Sequence, residues 1–124
     1  MGWRRTVFGT GRGIGLREAD GLMRSGALLL DVREPAEWRA GHAPAARHIP
    51  LGELEGRLGE LPRDQTVVAV CRSGGRSARA TTVLTRSGFQ ALNLNGGMRA
   101  WACVGLAVQT DEGPHGPRTQ SRGR

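Results

Sequence analysis

The sequence contains no lysine; all 18 of its basic residues are arginine. The formal net charge of +7 suggests a nucleic-acid partner, but the positive charge is concentrated at the ends of the chain. Arg4 and Arg5 lie at one end, and Arg118, Arg122 and Arg124 at the other. Residues 6–112 hold 13 arginines against all 11 acids, an excess of only +2. That balance reads as an ordinary solvated surface with basic tails, so nucleic acid is not the expected partner. Long hydrophobic runs are also missing. None approaches the ~18 residues a membrane helix needs, and no membrane association is expected. The pair Arg4-Arg5 is followed by the glycine-rich stretch 9–15 and not by an apolar segment, which argues against an export signal. The two cysteines, Cys71 and Cys103, allow at most one bridge and no disulfide framework, so a cytoplasmic location is the expectation. The dinucleotide-binding fingerprint is absent as well. After Gly9-x-Gly11 the required third glycine is Ile14, and after Gly11-x-Gly13 it is Leu16.

At this length the chain has room for one domain and one core. Apolar residues are 38% of the total but are gathered in short runs, as a folded domain requires. The expected order begins with a loose, flexible lead over residues 1–15. A helix at 16–25 follows, with Leu16, Ala19, Leu22 and Met23 on one stripe and Gly26 beyond its end. Strands are expected at 28–32, 47–50, 66–70 and 89–94. Each is short, and the clearest are continuously apolar, the pattern of a parallel sheet covered on both faces. A short helix opens at Pro35, leucines 51, 54, 58 and 61 step at helical spacing, and further helices fall at 77–87 and 98–103. This alternation predicts an α/β fold, with a central parallel sheet of about five strands between helical layers and right-handed crossovers. The domain should occupy residues 16–110. Residues 111–124, rich in Gly, Pro, Arg, Ser and Gln, read as a disordered basic tail.

Chemistry in such sheets collects beyond the carboxyl ends of the strands, and Cys71 stands directly after the most strand-like segment. The residues that follow it are Arg72, Ser73, Gly74, Gly75, Arg76 and Ser77. A short turn from strand into helix points successive backbone N–H groups at one spot, and a helix N-terminus adds a favourable dipole. With Arg72 and Arg76 alongside, a thiol placed there should ionise readily, and the thiolate is the useful nucleophile. A cysteine at a strand end is often a plain packing residue. Two arginines, two serines and two glycines in the next six positions do not suit an apolar core site. The same cradle would hold an oxyanion, leaving sulfur transfer and phosphate ester hydrolysis as alternatives. Only four residues separate Cys71 from Arg76, whereas cysteine phosphatases, which resemble this arrangement, use five in a wider nest.

The chain resembles the rhodanese family. The first signature is carried by Leu29-Leu30-Asp31-Val32-Arg33-Glu34, by Glu37-Trp38 and by the run from Gly41 to Pro50, in which Ala43 and Ala45 replace the family's usual Ile and Gly. The stretch from Cys71 to Ser77 is similar to the family's active-site loop. Ser87-Gly88-Phe89 and Gly96-Gly97-Met98-x-Ala100-Trp101 resemble its last strand and helix. The resemblance implies a rhodanese-like α/β/α fold and a ping-pong cycle through a persulfide on Cys71. The donor would be a small anion such as thiosulfate, and the acceptor cyanide or a thiol, including a thioredoxin-like protein. Arg72 and Arg76 would hold the donor. The loop over Ser73, Gly74 and Gly75, with the Ser77 hydroxyl, would stabilise the persulfide. No metal or organic cofactor is implied. A rhodanese-like module that carries a persulfide to a docked partner, or that only docks one, is the main alternative, and a phosphatase or arsenate reductase is a more distant one.

Other polar residues are expected in structural roles. Asp31 and Arg33 suit an ion pair or cap near the site. His42 and His48 suit hydrogen bonding rather than base catalysis, and His115 falls in the tail. Trp38 and Trp101 are expected in the core, and Cys103 as a packing residue on a short apolar helix.

Overall fold

The computed structural model describes residues 12–110. The expectations for the lead before Arg12, for the basic tail and for His115 fall outside the described residues.

Five parallel strands form one sheet in the order β1-β5-β4-β2-β3. In chain order the elements are β1 (Gly13–Ile14), α1 (Leu16–Arg24), β2 (Leu28–Asp31), α2 (Pro35–Ala40) and β3 (Arg47–His48). Two 3₁₀ helices (Leu51–Glu53 and Glu55–Glu60), β4 (Val67–Val70), α3 (Gly75–Arg86), β5 (Ala91–Leu94) and α4 (Gly97–Cys103) follow. The central strand β4 pairs with β2 from Leu28↔Val67 to Asp31↔Val70, and with β5 from Val67↔Ala91 to Ala69↔Asn93.

All four residues of β4 are buried because both faces of the sheet are covered. Successive side chains alternate between those faces. Val67, Ala69 and Cys71 enter one core with Ala80 and Leu84 of α3 and with Leu54 and Leu61 from the 3₁₀ region. Val68 and Val70 enter the other, with Ala19 of α1 and with Met98 and Trp101 of α4. Strand parity therefore sends the Cys71 side chain to the α3 side.

The expected loose lead holds a strand at its end. Gly13 and Ile14 pair with Asn93 and Leu94, and the carbonyls of Arg12 and Ile14 accept from the amides of Asn93 and Asn95 at 2.9 and 2.8 Å. Two residues, one of them glycine, carry no readable periodicity. The leucine series 51–61 forms 3₁₀ turns rather than one α-helix, with a break in helical geometry at Arg57. Glycines 52, 56 and 59 explain that outcome, since each lowers the stability of a continuous helix.

Candidate active site

Cys71 follows β4 immediately, and α3 begins only four residues later, at Gly75. The helix thus starts two residues before the expected position 77, inside the motif itself. Gly74 makes the reversal at φ 121°, a conformation that a side-chain-bearing residue adopts only with strain. Gly75 is already helical, so only the first of the two glycines is needed for the turn.

The turn aims donors at the sulfur. Gly74 N–H lies 3.1 Å from Cys71 Sγ, and Ser77 Oγ, one turn into α3, lies 3.3 Å from it. Cys71 is 1% exposed, and burial by itself pushes its thiol up. Hydrogen bonding from the Ser77 hydroxyl and from the backbone amides of Ser77, Gly74 and Ser73 outweighs that effect, leaving the thiol below its ordinary value.

The two arginines take different positions. Arg76 extends away from the loop to α2, where its Nη1 and Nη2 donate to the Glu37 carboxylate at 2.7 and 2.9 Å. This pairing, against a smaller opposing effect of burial, holds the Glu37 carboxyl down to about 2. Cys71 is a lesser contributor to the raised Arg76 guanidinium, after Glu37. Arg72 has no carboxylate partner among the described residues. With Arg99 it borders an open hollow of about 370 Å³, whose other walls are Arg33, Glu37, Ala40, Met98 and Ala102. A hollow of similar size lined by Ala27 and Thr66 sits at the amino ends of β2 and β4, away from the sulfur.

Asp31 and Arg33 form a buried pair at the end of β2. The guanidinium donates to both Asp31 carboxylate oxygens, and Arg33 Nη2 also reaches the Gly41 carbonyl at 2.8 Å. His42 Nδ1 lies 2.7 Å from the Trp38 carbonyl, and His48 Nε2 lies 2.8 Å from the Arg33 carbonyl. Trp38 is outside both cores. It is half-buried and stacked on His42 and His48, with ring centroids 3.5 and 4.7 Å away, because α2 buries none of its residues. Trp101 does reach the core, with its indole N–H donating to the Ala107 carbonyl at 2.8 Å. Cys103 is not a packing residue. It is exposed, because Met98 and Trp101 define the inward face of α4 and position 103 falls about 200° around from Trp101.

Three residues take part in the site that the sequence alone does not assign to it: Asn93 carries no signal, and Glu37 and Gly97 stand only within family motifs. Asn93 on β5 places Oδ1 at 2.5 Å from Ser77 Oγ, and its Nδ2 donates to the Gly74 carbonyl at 3.3 Å. Glu37 anchors Arg76. Gly97 lets the first turn of α4 lie directly on the loop, so that Met98 and Arg99 donate N–H groups to the carbonyls of Cys71 and Arg72 at 2.8 and 3.0 Å. Among the described residues, no cluster of three His, Cys, Asp or Glu side chains is placed to share a metal ion. No helix among them is long and apolar enough to cross a membrane.

This arrangement can hold a sulfur anion and present it at the carboxyl edge of the sheet. Comparison with known proteins identifies the family of the chain. A sulfurtransferase of Allochromatium vinosum is 44% identical over 87 residues, covering 69% of this chain and 81% of that protein. A putative sulfur carrier protein of Bacillus subtilis is 42% identical over 74 residues; the match covers 59% of this chain and only 40% of that protein. The crystal structure of a rhodanese-related protein from Thermoplasma volcanium superposes with a TM-score of 0.75 at 30% identity, covering 81% of this chain and 99% of that one. The rhodanese-like domain profile matches residues 16–103, which hold every strand after β1 and the whole loop around Cys71: the chain belongs to the rhodanese-like domain family.

Proposed function

We propose that the protein transfers sulfane sulfur through a persulfide on Cys71, with a small anion such as thiosulfate as donor and a thiol or cyanide as acceptor. The observation that carries this reading is the pair of donors on Cys71 Sγ, Gly74 N–H at 3.1 Å and Ser77 Oγ at 3.3 Å, at the carboxyl end of the central strand. In the first half-reaction the Cys71 thiolate attacks the outer sulfur of thiosulfate. A new S–S bond forms, the old one breaks, and sulfite leaves with the bonding pair. In the second, an acceptor thiolate attacks the outer persulfide sulfur and regenerates the Cys71 thiolate. No external oxidant or reductant enters.

The backbone N–H groups of Ser73, Gly74, Gly75 and Arg76, with the Ser77 hydroxyl, serve the bound sulfur anion. The Arg72 guanidinium, which has no carboxylate partner among the described residues, supplies positive charge at the rim for the donor's sulfonate. Arg76 contributes its backbone and, through Glu37, ties the loop to α2. The likeness to a putative sulfur carrier supports a second reading, in which the persulfide is handed to a docked protein rather than to a free small molecule.

Intact mass after incubation with thiosulfate tests the proposal, using Cys103→Ser protein so that one thiol remains. One added sulfur atom is expected, and none in the Cys71→Ser variant. An unchanged mass, or a gain that survives loss of Cys71, would overturn it. If the loaded protein gives its sulfur to a protein thiol but not to cyanide or small thiols, the carrier reading is the correct form.

A further inference from the structure

Ser77 has one hydroxyl proton and three acceptors within reach. Asn93 Oδ1 is at 2.5 Å, Cys71 Sγ at 3.3 Å and the Gly74 carbonyl at 3.3 Å. A hydroxyl donates once, so these contacts compete. Ser77 is fully buried and Asn93 is 8% exposed, so water does not readily replace a lost partner. The orientation of the Asn93 amide follows from its other contact. Nδ2 faces the Gly74 carbonyl at 3.3 Å, and a flipped amide would set two acceptor oxygens against each other there. Oδ1 is therefore the atom that faces Ser77, and it can only accept.

We infer that Asn93 is a positioning residue that holds the Ser77 proton away from the sulfur and so restrains ionisation of Cys71. With Cys71 as a thiol, its S–H donates to Ser77 Oγ, Ser77 donates to Asn93, and Asn93 donates to Gly74. Every buried group in that chain is satisfied. When the thiol loses its proton, Ser77 turns to donate to the sulfur and Asn93 Oδ1 is left without a donor. That loss opposes the stabilisation that the Gly74 and Ser77 donors give the anion. The charged groups on the neighbouring elements leave the competition in place. Arg76 on α3 is paired with Glu37 on α2, and Arg33 with Asp31 at the end of β2. Glu34 precedes α2, Arg72 is in the loop, Arg99 is on α4, and β5 brings only the neutral Asn93. The inference rests on Cys71 being the working thiol, but its test does not depend on sulfur transfer.

The test is the pH dependence of iodoacetamide alkylation in a Cys103→Ser background, which reads the Cys71 thiol directly. Asn93→Leu frees Ser77 and is expected to lower the apparent pKa by about one unit, ten-fold more thiolate at a pH below both values. In Ser77→Ala protein the same substitution should leave the pKa unchanged, because there is no hydroxyl left to release. An upward or absent shift in Asn93→Leu, or an equal shift with and without Ser77, would overturn the inference. If Asn93→Leu does not fold, Asn93→Asp decides. Its carboxylate keeps the acceptor, and it should raise the pKa more when Ser77 is present than when it is not; equal rises would overturn the inference. Loading of one sulfur from thiosulfate, measured in the same proteins by mass, separates this outcome from failure of the proposed function.

Discussion

Met98 donates its backbone N–H to the carbonyl of Cys71 at 2.8 Å, so the first turn of α4 braces the loop from the side opposite α3. Gly97 makes this approach possible. A β-carbon there would run into the Cys71 carbonyl and the backbone of Arg72, and φ is +55°. Gly97→Ala should therefore displace loop or helix. A loss of about 2 kcal/mol or more is expected in urea unfolding, from the strained conformation and from backbone that cannot yield. Sulfur loading by Cys71 should slow along with it. Unchanged stability would show that α4 does not brace the loop.

The two loop glycines should behave differently. Gly74 holds φ 121°, so Gly74→Ala is expected to cost about 1–3 kcal/mol and to misdirect the N–H aimed at the sulfur. Gly75 is the first residue of α3, and a β-carbon there meets nothing within 4 Å. Gly75→Ala should leave stability unchanged or raise it by up to about 1 kcal/mol, since alanine favours the helix. Equal losses in the two variants would contradict this assignment of the turn.

Ser77→Ala removes the only side-chain donor on the sulfur among the described residues while keeping the backbone amides of Ser73, Gly74 and residue 77. The anion loses a charge-assisted donor, whereas the thiol loses only the acceptor of its weak S–H, so the Cys71 pKa should rise. A rise of about one unit, read from the pH profile of alkylation, corresponds to one modest charge-assisted hydrogen bond. At a pH below the pKa of both proteins, sulfur loading should fall by about ten-fold with it. An unmoved profile would leave the backbone as the whole source of the cradle.

The central strands and the loop were legible because their signals are local. Val67–Val70 is continuously apolar, and Cys71 with its Gly- and Arg-containing turn follows at once. What escaped was contributed by elements distant in sequence. Asn93 reads as an ordinary polar residue in a strand, and only the register of β5 beside β4 sets it against Ser77. Glu37 and Arg76 are 39 positions apart, so the arginine looked free to serve the loop. Cys103 was misplaced for a different reason. An apolar seven-residue helix gives too few turns to show which face is buried, and Met98 and Trp101 take the inward positions.

The Glu37–Arg76 pair should make part of the protein's stability depend on pH in the acid range. Glu37 titrates at about 2 in the folded protein against an ordinary 4.5, chiefly because Arg76 donates two hydrogen bonds to its carboxylate. A carboxyl with a depressed folded pKa binds protons more tightly in the unfolded chain, so stability falls as pH falls. The contribution is whole above about 4.5, is lost progressively below that, and is gone once pH passes below about 2. Both side chains are about one-third exposed, so solvent screens part of the effect. Glu37→Gln should therefore be less stable than the parent protein at pH 6 and 7, and the difference should shrink steadily from pH 4.5 towards pH 2. Urea titrations of both proteins across that range would measure it. A difference that stays constant with pH would mean that Glu37 acts through packing and through the hydrogen bond it accepts at 2.9 Å from the Glu34 backbone N–H at the start of α2, with no contribution from its charge.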